Sequence, residues 1–206
     1  MTSVPMSPAY AAALAESEGE RPQRKATPAD AFHLARQWFL LGRRIDMNAL
    51  ATELGVSRNT LYRWTGDRER LIADVMWSIA ARSIEHGRQR ASGRGADRII
   101  QVLDYVADGV SHAPYMQKFL ESEPALAFRL ITSREAGVQS RTVAAIAALI
   151  REEEASGGFH SEVDADTLAY ALTRMIEAFV YNDTFTGIEA RPDAFSTIVR
   201  LLLRQP

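Results

Sequence analysis

The sequence predicts an all-α fold, with a small N-terminal three-helix unit built on a helix-turn-helix and a larger helical unit after it. Three observations predict this. Apolar residues recur three and four apart through most of the chain, as on one face of a helix. No segment sustains the apolar–polar alternation of a half-buried strand. Helix starts and stops carry capping residues, Pro and Gly at the positions where a helix needs them. No internal repeat is present.

In chain order, residues 1–24 hold Pro5, Pro8 and Pro22 among scattered Ser and Glu, and read as a disordered tail in which Ala9–Ala15 turns helical only transiently. Arg21, Arg24 and Lys25 stand just ahead of the first firm helix, as a basic arm or as a solvated tail. Thr27-Pro28-Ala29-Asp30 starts that helix, with Thr as N-cap and Pro in the first turn. Phe32, Leu34, Ala35, Trp38, Phe39 and Leu41 form its core face, and Gly42 ends it. Asp46 caps a short helix with Leu50, Ala51 and Leu54 inward. Gly55 leaves that helix through φ > 0, Val56 tucks under the corner, and Ser57 caps a second short helix, Arg58 to Trp64. Leu61 anchors it inward. Arg58, Asn59, Thr60 and Arg63 remain outward, donor-rich types suited to phosphates and base edges. From the turn alone, an αα-corner with solvated charges competes evenly with a DNA reader.

A longer helix follows, from about Asp67 through Leu71, Val75, Trp77, Ile79 and Ile84 to His86, with Arg68 in its first turn, where backbone N–H groups also favour a phosphate. Arg88 to Gly95 is polar, Gly-containing and loop-like. Ile99, Ile100, Leu103, Val106 and Val110 mark the next helix, and Pro114 stops it. Tyr115 to Leu120 and Leu126 to Ile131 form two short helices. Thr132-Ser133-Arg134-Glu135 fits a capping box for a helix through Val143, Ile146 and Ile150. Ser161 to Asp164 caps a long helix with Leu168, Leu172, Met175, Ile176, Phe179 and Val180, and Pro192 opens the last one. The expected organisation is a tail over 1–24, a helix-turn-helix domain over 25–71, a connecting helix and loop over 72–95, and a final domain over 96–206.

Composition narrows the function. With no cysteine, the chain has no disulfide framework, thiolate chemistry or Cys-based zinc site. No apolar run approaches the roughly 18 residues of a membrane span, and no secretory leader is visible, so a cytoplasmic protein is expected. Basic residues are Arg except Lys25 and Lys118, and Ala is abundant, as in proteins of GC-rich bacteria. The net charge of −2 hides an asymmetry: residues 21–94 hold fourteen Arg and Lys against seven Asp and Glu, whereas residues 95–206 hold ten against sixteen. A basic module joined to an acidic one suits a protein that touches a polyanion with one part only. The histidines, His33, His86, His112 and His160, are scattered, with no HExxH, GxSxG or P-loop spacing, so neither a catalytic site, a metal nor a cofactor is expected.

Read in full, ALATELGVSRNTLYRWTGDRERLI resembles the DNA-binding motif of TetR-family transcriptional regulators. The matching positions are Ala51, Glu53, Gly55, Val56, Ser57, Thr60, Leu61, Tyr62, Asp67, Glu69 and Leu71. Trp64-Thr65 replaces the family's aromatic-Phe pair, and Arg68 replaces its Lys. The order of helices in the second half also resembles the QsdR-type regulators, linked to lactone and quorum-signal breakdown. The resemblance implies a DNA-reading helix with Thr27, Ser57, Arg58, Asn59, Thr60, Tyr62, Arg63 and Arg68 at the operator. It implies a homodimer through the last two helices, whose wide apolar faces invite a partner, and a palindromic double-stranded operator read by two copies about 34 Å apart.

The resemblance also implies a helical ligand-binding and dimerisation domain that takes a small, largely apolar effector such as a lactone or acyl compound, which releases a repressor from DNA. Candidates to line that chamber are Trp77, Tyr105, Met116, Phe119, Phe128, Arg129, Tyr170, Met175, Phe179 and Asn182, with Tyr181, Glu177 and Asp183 beside them. Each of these large side chains read singly is also a plausible core residue. The competing functions are a helical small-molecule-binding protein or adaptor with no operator-specific DNA binding and, third, a helical hydrolase.

Overall fold

The computed structural model describes residues 6–15, 25–133, 135–186 and 192–203, with no side chains described from 182 to 193. Every regular element among the described residues is a helix. Local chemistry sets the boundaries of the helix-turn-helix module. Helix α2 (Pro28–Leu40) opens with a reciprocal capping box: the Asp30 N–H donates to Thr27 Oγ1, and the Thr27 N–H donates to the Asp30 carboxylate at 2.8 Å. Helix α3 (Met47–Glu53) is capped by Asp46, which accepts from the N–H groups of Asn48 and Ala49 at 2.9 and 2.8 Å. Gly55, at φ +65°, then turns the chain. Ser57 caps α4 (Arg58–Thr65), accepting from the Thr60 N–H at 3.1 Å. Asp67 caps α5 (Arg68–Arg90) in the same way.

The remaining helices are α6 (Ala96–Ser111), α7 (Pro114–Ser122), α8 (Pro124–Thr132), α9 (Val138–Ala155), α10 (Ala165–Thr186) and α11 (Pro192–Leu202). Two expectations about their ends are corrected. Helix α5 runs past His86 to Arg90, because its polar last turn is packed rather than solvated: Arg88 pairs with Glu152, and the Arg90 guanidinium lies 5.3 Å from the centre of the Tyr105 ring. The capping box at Thr132–Glu135 does not form. Thr132 closes α8 instead, its hydroxyl donating to the Phe128 carbonyl at 2.8 Å, and α9 begins after Gly137. Asp164 does cap α10, accepting from the Thr167 N–H and hydroxyl at 3.0 and 2.7 Å.

The third correction is at the N-terminus. Residues expected to belong to a disordered tail form α1 (Pro8–Ala15), docked against α2 and α4. Ala9 and Tyr10 are buried, and the Tyr10 ring stacks on Phe32 at 4.8 Å. The Ser7 N–H donates to Asp74 Oδ2 at 3.0 Å, and the Ser7 hydroxyl accepts from the Tyr10 N–H at 3.2 Å. Composition alone suggested disorder because the apolar content of the stretch is mostly alanine; one aromatic and one backbone hydrogen bond to a buried charge are enough to fix it. Arg21 and Arg24 of the expected basic arm lie outside the described residues.

Two apolar clusters organise the packing. The first joins α1 to α4 and the first half of α5 with Met116, Phe119 and Leu120 of α7 and Ala127, Leu130 and Ile131 of α8. The second joins the end of α5 with α6, α9, α10 and α11 around Leu103, Ile146, Leu149, Ile150 and Leu172. Helix α5 belongs to both. At its far end, Gly95 (φ +66°) sits so close to Gly158 that a Cβ there would lie 1.9 Å from the Gly158 carbonyl oxygen, and its N–H donates to the buried Glu153 at 2.5 Å.

Asp74 is fully buried and paired with Arg141 at 2.9 Å. Removing one partner of such a pair strands the other charge, so Asp74→Ala is expected to lower stability by about 3–5 kcal/mol. Asp74→Ala with Arg141→Met should recover part of that loss. Urea unfolding of the two variants checks both values, and a loss below about 1 kcal/mol for the single variant would contradict the role given to the pair.

Candidate nucleic-acid interface and ligand cavity

Helix α4 is seated by two residues. Leu61 is fully buried, and so is Thr65, which stands where the family motif has Phe. The Thr65 hydroxyl donates to the carbonyl of Leu61, with that of Gly66 also at 3.0 Å, so the polar substitute is satisfied inside the core. Trp64 packs half-buried against the same cluster. With that side inward, Arg58, Asn59, Tyr62 and Arg63 share the opposite face at helical spacing and are exposed, as is Ser57 at the helix start; Thr60 is half-exposed. Ser57 and Thr60 hydroxyls lie 2.9 Å apart. Arg58 reaches the Tyr62 hydroxyl at 3.4 Å and lies 5.4 Å from the centre of its ring, which orders two long side chains beside each other. The face therefore combines a capped helix start, two guanidinium groups, an amide and a phenol. Thr27, also expected at DNA, is half-exposed and its hydroxyl donates to Asp30 at 2.7 Å.

Arg68 is elsewhere. Its Nε donates to the Ile45 carbonyl at 2.6 Å, and its Nη2 pairs with Glu123 at 2.5 Å, with both side chains largely shielded. Arg44 also approaches Glu123, at 3.7 Å. Arg68 thus ties the start of α5 to the α7–α8 junction, its Nε and Nη2 engaged by protein groups. Local sequence carries no sign of this tie, because the partner carboxylate is 55 residues away.

The second half contains a cavity of about 140 Å³ between α5, α6, α9 and α10. Tyr105 and Met116 of the expected residues line it, together with Tyr181 and Glu177. The other candidates do not. Trp77 packs in the first apolar cluster. Phe119 stacks edge-on against Phe39 at 5.3 Å. Phe128 and Tyr170 are about half exposed on outer faces. Arg129 pairs with Glu69. Met175 and Phe179 join the second cluster, where Phe179 meets Phe195 at 5.8 Å. The side chains of Asn182 and Asp183 lie outside the described residues. Sequence reasoning favoured large aromatics, whereas the lining comes from residues such as Ile79, Ala80, Ser83, Gln139 and Thr142, whose inward direction only the packing of α5 and α9 decides.

One carboxylate stands in the lining. The Gln139 amide donates to both oxygens of Glu177, at 3.0 and 3.2 Å, and Arg174 holds Oε2 at 2.6 Å. Burial pushes the Glu177 carboxyl above the usual carboxylate range, against the lowering effects of Gln139 and Arg174. Burial likewise drives the Tyr181 hydroxyl far upward, so it stays protonated. Among the described residues, no group of three or more His, Asp or Glu is placed to hold a metal ion, and no helix is long and apolar enough to cross a membrane.

Residues 94–204 match the sequence profile described as tetracyclin repressor-like, C-terminal domain. The chain is similar in structure to the transcriptional repressor QsdR of R. erythropolis, from the TetR family, with a TM-score of 0.79 and 25% identity over 86% of this chain and 96% of that one. It is also similar to the TetR-family repressor AlkX from Dietzia sp. strain DQ12-45-1b, implicated in biodegradation of n-alkanes, with a TM-score of 0.61 and 20% identity over 88% of this chain and 96% of that one. The fatty acid degradation regulator FadR from Bacillus halodurans shares the fold at a TM-score of 0.55 and 15% identity, over 88% of this chain and 96% of that one. No curated protein sequence matches.

Replacing Arg68 with Met leaves Glu123 shielded without its close partner, and is expected to lower stability by about 1–3 kcal/mol. Thermal or urea unfolding measures this; an unchanged midpoint would mean the strut carries no load.

Proposed function

This chain belongs to the TetR family of transcriptional regulators, and on that footing we propose that it is a cytoplasmic repressor that binds a palindromic operator as a homodimer and is released by a small, largely apolar effector. The observation that carries the reading is the α4 face: Ser57, Arg58, Asn59, Tyr62 and Arg63 are presented outward on a helix whose other side is locked by Leu61 and Thr65. Arg63 and Asn59 suit base edges in a major groove; Ser57, Tyr62 and, at the start of α2, Thr27 suit phosphates.

A second copy is supported by the last two helices. Ile198, Leu201 and Leu202 of α11 are 41%, 65% and 51% exposed in a single chain, an apolar row that a two-fold partner would cover. Tyr170 of α10 is half exposed and does not line the cavity.

The cavity is the proposed effector site. At about 140 Å³ it is close to the size that accepts a benzene-sized molecule, so a longer acyl chain or a lactone with a tail needs the walls to part. Met76, Ile79, Ala80 and Ser83 of α5 form one wall, and α5 starts two residues after α4. An effector that prefers a shifted α5 would move the two α4 helices out of spacing, by no more than that preference allows.

Fluorescence anisotropy against a duplex selected from a random pool tests the reading. Arg63→Ala is expected to weaken binding about ten- to a hundredfold, whereas Arg68→Met leaves the salt dependence of binding unchanged. Leu201→Glu is expected to give monomers by native mass spectrometry and to lose tight operator binding. Equal affinity for selected and random duplexes would instead favour a helical binding protein or adaptor without an operator.

A further inference from the structure

We propose that Glu177 makes the cavity selective for compact apolar ligands that present a hydrogen-bond donor, such as an amine, an amide N–H or a hydroxyl, and closes it to carboxylates. This rests on the reading that the cavity takes the effector, and it names the chemistry of that effector. The walls are apolar, with Met76, Ile79, Val106, Val110, Met116 and Ile176 among them. Among the described residues that line the cavity there is no Lys, Arg or His, and Glu177 is the one carboxylate.

The partners of Glu177 leave it an acceptor. Arg174 approaches Oε2 from the solvent side, its own side chain 45% exposed against 11% for Glu177. Among the described residues, Oε1 receives only the neutral Gln139 amide, at 3.0 Å, and so retains acceptor capacity. Gln139 directs its NH₂ at the carboxylate, and its carbonyl oxygen is a further acceptor. The hydroxyls of Thr142 and Thr173 donate to the backbone carbonyls of Val138 and Ala169 at 2.9 and 2.8 Å, so they too face a ligand as acceptors. Tyr105, Tyr115 and Tyr181 hydroxyls can donate or accept, and the fixed sign comes from Glu177. A ligand carboxylate would lie against the Glu177 carboxylate in a shielded apolar site, with Arg174 already engaged at Oε2 and no cation among the described residues that line the cavity.

Isothermal titration of the full-length protein with benzylamine, toluene and phenylacetate tests this. Benzylamine is expected to bind at least about tenfold more tightly than toluene, and phenylacetate not to bind. Glu177→Gln should bring benzylamine to within a few-fold of toluene while leaving the toluene affinity as it was, which also reports that the variant is folded. Toluene binding with no preference for the amine, phenylacetate binding as well as benzylamine, or an amine preference that survives Glu177→Gln would each overturn the proposal while leaving the cavity as a ligand site. If no probe binds the unsubstituted protein, the ligand-site reading falls with it. The wild-type ranking stands by itself if the variant does not fold.

Discussion

A carboxylate with no access to water, Asp74, fixes how the parts of this molecule sit together. Buried charge is tolerated only with close partners, and those of Asp74 come from three elements: Arg141 on α9 at 2.9 Å, the Ser7 N–H ahead of α1 at 3.0 Å, and Arg70 one turn back on α5 at 3.5 Å. Each partner is thereby held in register with the others. Helix α1 lies on α2 and α4, so the reading module inherits a position set inside the second half. On α9, Gln139 and Thr142 flank Arg141 and face the cavity. One ion pair therefore stands between the cavity wall and the helix that supports the α4 face.

A second tie runs in parallel. Arg68 spans from Ile45 in the reading module to Glu123 at the α7–α8 junction, and the first apolar cluster continues from Leu61 and Leu71 into Phe119 and Leu120. Helix α5 takes part in both ties and in both clusters. A ligand that wedges against Met76 or Ile79 acts on an element whose first turn is bolted to the reader, and packed elements of this kind respond by moving as bodies rather than by yielding locally.

Much of this was legible in the sequence wherever a local rule sufficed. The caps Thr27, Asp46, Ser57 and Asp164, the turn at Gly55 and the inward Leu61 follow from short-range chemistry and stand as expected. The outward set from Ser57 to Arg63 follows from helical spacing once Leu61 is inward. What was not legible depends on partners far along the chain. Arg68 looked like a phosphate ligand until Glu123 was beside it; Phe128 and Tyr170 looked like chamber walls although their helices turn them outward. The stable docking of α1 was not legible because its anchor is a backbone N–H held by a residue 67 positions later. The same distance hid Arg141, whose role is invisible without Asp74.

The chain has no cysteine, so Leu41→Cys, exposed at the end of α2 and outside the outer face of α4, gives a unique site for a spin label. Double electron–electron resonance on the labelled protein bound to a selected duplex measures the distance between the two readers of a dimer. A distribution that narrows to a single separation on the selected duplex, as two readers held about 34 Å apart in successive major grooves require, is expected. The absence of any dipolar signal, or a broad distribution that DNA leaves unchanged, would contradict a paired reader built on α4.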